Sequence, residues 1–396
     1  MSRLALPALT LVLCACGSDL ASPFSAVAVT YDVNKQAFKL AQVRINTLTS
    51  LRHLQGCLQL DAKGNCQPGT KFDVTAGGSV RVSTAAVRDP SATVDSLRAA
   101  FVKTRPAQVE VSWNVLNDIV YAEDFASLEL LSTYYNMEKA RKALADWGLT
   151  TLPAKPIVAH AAIADENGLS PLAAGELYYA PLATFYTPVA TPQQAVPSAF
   201  NLGAVAHALG HEAVEEQVWA GTPAPTPERG TNNAAKHLAR SFAEGVGDYL
   251  GVAVSDDPRW FDHSLQQDAA ARALDQIHCS TPDMLAALAV DDAQARYDPY
   301  PLGSVFAGAL WEEASQATAQ NTSRGVLAAL ADLGTKAAAA QGVLKVSDIL
   351  DTLAAHAPVD QRNGLCGLFL NRFAQLGIKA TDLLSCVNAT PRAECQ

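Results

Sequence analysis

His207 and His211 stand in the segment Val205-Ala206-His207-Ala208-Leu209-Gly210-His211-Glu212. On a helix this spacing projects both imidazoles from one face, so both can reach a single cation. An isolated pair is also common on surface helices, where it is only a solvated or packed face. A second segment, Ser241-Phe242-Ala243-Glu244-Gly245-Val246-Gly247-Asp248-Tyr249, adds two carboxylates on another helical stretch. Its Glu-Gly step is costly inside a helix unless packing requires it. A third segment runs from Tyr300-Pro301-Leu302-Gly303 to Trp311. His53, His160, His237, His263, His278 and His356 show no ligand spacing and read as structural or exposed.

In their order these segments resemble the gluzincin zinc metallopeptidases of the fungalysin and thermolysin kind. Such an enzyme reads H-E-x-x-H, its histidines holding the metal and its Glu polarising the water. The resemblance implies His207 and His211 as ligands of one zinc ion. The E-G-x-x-D-Y run is similar to the family's third-ligand helix, which implies Glu244 as third ligand with one position open for water. It also implies that Asp248 orients a ligating histidine. Residues 300–311 resemble the downstream helix H-x-x-G-x-V-W-A, with Tyr300 in place of the His. Residues 176–181 (ELYYAP) resemble the N-A-F-Y-x-P edge strand, which implies a substrate path along Tyr178 and Tyr179. The likeness spans residues 115–315. It implies an α+β, zincin-like domain with a mixed sheet bearing an edge strand, active-site helices, and a peptide or protein as ligand.

The departure from that pattern is Ala208, where the family carries its general base. Without a proton acceptor there, peptide hydrolysis is expected to be absent or severely impaired; a general base contributes about 10²–10⁴. Glu212 is a poor substitute, being one helical turn, about 5–6 Å, further along the axis, whereas a base must come within about 3 Å of its proton. Tyr300 can donate a hydrogen bond as the family's His does, and Tyr297 is an equal candidate. Ala208 fits a natural pseudopeptidase or a Glu-to-Ala inactivated form; the further departure at Tyr300 favours natural loss. Two alternatives stand beside this reading: an active zinc endopeptidase with a non-standard base, and an interaction lipoprotein that binds no metal.

The elements that must position these residues follow from periodicity. Residues 25–30, 80–83 and 109–113 read as strands among turn-formers. Residues 128–149 carry helical spacing with Gly148 near the end. Residues 175–189 read as an edge strand limited by Pro181 and Pro188. Helices are expected over 202–219 and 234–252, and the region 258–385 reads as mainly helical, with 326–340 Ala-rich and amphipathic.

The first residues resemble a bacterial lipoprotein signal: Arg3, an apolar stretch from Leu4 to Leu13, then Leu13-Cys14-Ala15-Cys16. This implies lipidation at Cys16 and anchoring to a lipid membrane in the cell envelope; Gly17 after the cysteine favours the outer membrane. Six further cysteines in an exported chain suggest three disulfides. Short spacing pairs Cys57 with Cys66 and Cys386 with Cys395, and elimination leaves Cys279 with Cys366. The expected organisation is a signal at 1–15, a tether at 16–24, a β-rich domain at 25–112, a metallopeptidase-like part at 113–255 and a helical part at 256–396. The 396 residues are 49% hydrophobic with a net charge of −10 and no basic run, which excludes a disordered chain and a nucleic-acid partner.

Overall fold

The computed structural model describes residues 23–50, 54–75, 79–82, 101–103, 111–150, 152, 157–165, 184–186, 200–222, 232–263, 269–291, 297–316 and 318–395. Cys16, Tyr178, Tyr179 and most of the expected edge strand lie outside these residues. The fold is mixed α+β. Strands β1 (Phe24–Asp32) and β2 (Ala37–Ile45) form an antiparallel hairpin. Strand β1 also runs parallel to β9 (Ile119–Ala122), which pairs antiparallel with β8 (Trp113–Leu116). One sheet, ordered β2-β1-β9-β8, therefore joins strands from either side of position 112. The strand expected at 109–113 starts only at Trp113 among the described residues.

A second sheet is ordered β3-β4-β5-β10-β6-β7, from β3 (Leu48–Ser50), β4 (Gln55–Cys57), β5 (Lys71–Thr75), β6 (Ser79–Val82), β7 (Phe101–Lys103) and β10 (Ile157–Asp165). Strand β11 (Thr184–Tyr186), within the expected edge segment, pairs parallel with β10.

Helix α1 (Phe125–Asp146) starts where the Asp124 carboxylate accepts from Ser127 N–H and gives way at Gly148, whose φ is +111°. Its face of Leu130, Leu131, Tyr134 and Met137 is buried. The Glu138 carboxylate accepts from the Asn46 and Thr47 backbone N–H groups and the Thr47 hydroxyl, tying the helix to the turn after β2.

The site depends on three later helices. Helix α2 (Leu202–Val214) is capped by Asn201, and the chain continues as a π turn over Glu215–Trp219 rather than as regular helix. Within that turn, the Gln217 carbonyl abuts Gly334 on a later helix, where a side chain would clash. Helix α3 (Asn233–Ser255) is capped by Asn232 and stops at Asp256 in the left-handed conformation. Helix α4 is a single turn, Ala269–Arg272, and α5 spans Pro282–Leu288. Helix α6 (Tyr300–Gln316) packs across α3, and α7 (Ala319–Ala339), α8 (Val346–His356) and α9 (Val359–Arg372) complete the helical part. Among the described residues no helix is long and apolar enough to cross a membrane.

The disulfide pairing corrects the expectation at four of six cysteines. Cys57 pairs with Cys66 as spacing suggests, but Cys279 joins Cys395 and Cys366 joins Cys386. Tertiary packing explains the exchange. Cys366 lies on α9, and Ser385 N–H bonds the Asp351 carboxylate of α8, which sets Cys386 against it. The tail then runs back along α9: Arg392 N–H bonds the Gly367 carbonyl, and Asn371 accepts from the N–H groups of Glu394 and Cys395. Ser280 N–H bonds the Arg372 carbonyl, which brings Cys279 to that end. Arg372 pairs with Glu312 and Glu394 beneath the tail.

Helices α2 and α3 meet at glycines. A Cβ on Gly210 would stand 2.7 Å from the Gly247 Cα, and one on Gly247 would stand 2.8 Å from His207 Nδ1. In an open helix Gly→Ala adds about 0.8–1 kcal/mol of helix propensity. Here the forced separation outweighs it: Gly247→Ala is expected to lower unfolding free energy by about 1–3 kcal/mol, measured by chemical denaturation of the two proteins.

Candidate metal centre

Because α2 and α3 touch at Gly210 and Gly247, the side chains one turn away converge. His207 and His211 project from α2 towards Glu244 of α3, and their ligand atoms lie within 4.8 Å of one another. The two Nε2 atoms are 3.0 Å apart, and Glu244 Oε2 lies 3.6 Å from His207 Nε2 and 3.5 Å from His211 Nε2. Ligands 2.0–2.1 Å from a tetrahedral zinc ion stand about 3.3 Å from one another. The three separations bracket that value, and two imidazoles with one carboxylate suit such an ion, so the residues fit a metal. Asp248 Oδ1 lies 2.9 Å from His207 Nδ1, a contact that falls short of good hydrogen-bond alignment. A proton held on Nδ1 by this carboxylate leaves the Nε2 lone pair facing the cluster.

Burial sets the electrostatics. His207, Glu244 and Asp248 are buried, whereas the His211 side chain keeps 33% of its surface exposed. Burial pushes the His207 imidazole below its ordinary pKa, against the pull of Asp248. Burial acts the same way on His211, but Glu244 outweighs it and the net direction is upward. Burial alone would raise the Glu244 carboxyl; His211, Arg272 and His207 overcome it and hold the group at about 2.

Arg272 is the member of the site that sequence reasoning missed. Its NH2 group donates to Asp248 Oδ1 at 2.6 Å and to Glu244 Oε2 at 3.1 Å, while Nε donates to Asp248 Oδ2 at 3.1 Å. The guanidinium lies between two rings, 4.0 Å from the centroids of both Phe261 and Tyr300. No spacing signal marks it, because it reaches the site from a single helical turn, Ala269–Arg272. Trp260 and Phe261 close the wall beside His207, with ring centroids 5.5 and 5.9 Å from its imidazole.

The other expected residues fall as follows. Ala208 is half-buried on α2 and offers only a methyl group. Glu212 is buried, and its carboxylate acts on Arg141 of α1, opposing the downward push of burial on that guanidinium. Tyr300 covers Arg272 with its ring. Tyr297 belongs to the core: its ring stacks on His237 at 4.1 Å, its hydroxyl shares a 2.7 Å hydrogen bond with Ser241, and burial pushes the phenol up to about 12. His263 pairs with Asp257, and His278 bonds the Ala273 carbonyl.

No known family matches the chain by sequence, and no curated protein matches it closely enough to count as a relative.

Glu244 and Asp248 are both buried beside Arg272, so removing the guanidinium strands two carboxylates. Breaking a buried pair by deleting one partner costs about 3–5 kcal/mol. Arg272→Met is therefore expected to destabilise the metal-free protein by that order, read by urea denaturation with a chelator present.

Proposed function

We propose that the chain is a membrane-anchored lipoprotein whose zincin-like domain holds one zinc ion and binds a peptide or protein, with peptide hydrolysis absent or severely impaired. The observation that carries this reading is the triangle of His207, His211 and Glu244 at zinc-ligand separations, with Ala208 on the adjoining flank. When bound, zinc acts as a Lewis acid and lowers the pKa of a coordinated water towards ~7. The chain's own residues do the rest. Asp248 Oδ1 stands 2.9 Å from the far nitrogen of the His207 ring, and Arg272 fixes the carboxylates of Asp248 and Glu244 against each other. Ala208 can accept no proton, and the Glu212 carboxylate is buried one turn further along the helix, within electrostatic reach of Arg141. This favours an impaired peptidase over an active one using Glu212 as base.

The purified chain is expected to hold about one equivalent of zinc, lost on His207→Ala or Glu244→Ala. Ala208→Glu returns a carboxylate to the flank and is expected to produce chelator-sensitive cleavage of unstructured protein, with at most traces in the given sequence. Strong cleavage by the given sequence that Glu212→Gln abolishes would overturn the impaired reading.

The anchor rests on the Leu13-Cys14-Ala15-Cys16 pattern. Mass spectrometry of the mature N-terminus is expected to find lipid on Cys16; an unmodified start elsewhere would refute it.

A further inference from the structure

We infer that the outward face of the sheet β2-β1-β9-β8 rests on the lipid surface to which Cys16 is anchored. The inference depends on the anchor reading above and adds the face by which the folded body meets the membrane. Strand alternation sorts the side chains. Ala26, Ala28, Val43 and Val120 are buried on the inner face. A mostly antiparallel sheet packed on one side ordinarily turns polar residues outward on the other. Here the outward positions include Val27 and Val29 on β1, Leu40 on β2, Leu116 on β8, and Ile119 and Tyr121 on β9. Leu40 and Leu116 keep 63% and 60% of their surface exposed, and Tyr121 keeps 36%. The register makes them one patch: Leu116 stands opposite Ile119, Ile119 beside Ser25, and Val29 opposite Leu40. Apolar side chains grouped in this way mark an interaction surface. The chain covers only the far end of the face itself, where the His263 ring lies 4.2 Å from Tyr31 and 5.8 Å from Phe38.

Chain length and charge name the occupant. Cys16 precedes Phe24, the first residue of β1, by eight residues. Eight residues extend at most about 28 Å, so a lipid on Cys16 holds this sheet within that distance of the bilayer. The uncovered end of the face is the end at which β1 begins, where Ser25 lies beside Ile119. The chain as a whole carries a net charge of −10, which an anionic lipid surface repels. Among the described residues, however, the outward strand positions of this face hold no carboxylate, and their one charged side chain is Arg44. The nearest acid, Asp118, sits in the turn joining β8 to β9. Apolar side chains with a tyrosine and a cation at their border suit the boundary between headgroups and acyl chains.

The test uses the full lipidated chain in vesicles of phosphatidylethanolamine and phosphatidylglycerol, with and without brominated acyl chains. A bimane fluorophore is attached in separate proteins at Leu40→Cys, Leu116→Cys and, as a control outside the sheet, Leu384→Cys, which replaces a side chain 78% exposed. Brominated lipid is expected to quench most of the emission at positions 40 and 116 and to leave position 384 bright. Gln42→Cys, exposed on the same face, replaces either sheet variant if it fails to fold. Flotation with the vesicles is measured on every sample. Floating protein that is not quenched at 40 and 116, or is quenched equally at 384, would overturn the inference while leaving the anchor standing. A chain that does not float would instead remove the anchor reading and this inference with it. Emission at 40 and 116 that ignores brominated lipid but shifts to the blue as protein concentration rises in detergent would assign the face to a second copy of the chain, against the inference.

Discussion

Helix α3 can serve the histidines of α2 only because the two helices touch at Gly210 and Gly247. A side chain on either would meet backbone or the His207 ring at under 3 Å. The same device recurs on the far side of α3, where a Cβ on Gly245 would stand 2.7 Å from the Gly303 carbonyl of α6. Helix α3 is thus held at close range on both flanks, with Glu244 and Asp248 fixed between. Trp260 fills the remaining gap, packing against Gly203 and Gly251 at the ends of the two helices nearest the chain's turn. Each glycine costs helix propensity, and the contact it permits offsets that cost.

Close packing creates an electrostatic problem that Arg272 resolves. Two buried carboxylates one turn apart on α3 repel each other, and burial penalises both. A guanidinium fork matches this pair better than an ammonium would, because its planar donors reach Asp248 twice and Glu244 once. Phe261 and Tyr300 sandwich the fork and restrict its rotation. The triangle of donor atoms is therefore organised by the chain itself. Tyr300 acts here through Arg272, by covering it with an aromatic face.

Much of this was legible in the sequence where local rules decide. The i, i+4 histidines, Gly148 at the end of α1 and the cost of Glu244-Gly245 pointed to these helices, and Gly303 supplies the packing reason for Gly245. The alternation of residues 25–30 marked β1, and the short Cys57–Cys66 loop marked its own disulfide. What escaped depends on contacts distant in sequence. Arg272 sits in a one-turn helix with no pattern around it. The pairings Cys279–Cys395 and Cys366–Cys386 follow from a tail that doubles back along α9, which loop length cannot reveal. The π turn after α2 likewise answers to Gly334, over a hundred residues away.

The central claim is that two imidazoles and one carboxylate of this chain hold a single zinc ion. X-ray absorption at the zinc edge of the purified protein reads that donor set directly. The account predicts a first shell of nitrogen and oxygen at about 2.0–2.1 Å with outer scattering from two imidazole rings. Both ring signals should vanish from a His207→Ala, His211→Ala protein. Sulfur scattering at about 2.3 Å, or a spectrum with no imidazole signature, would contradict it.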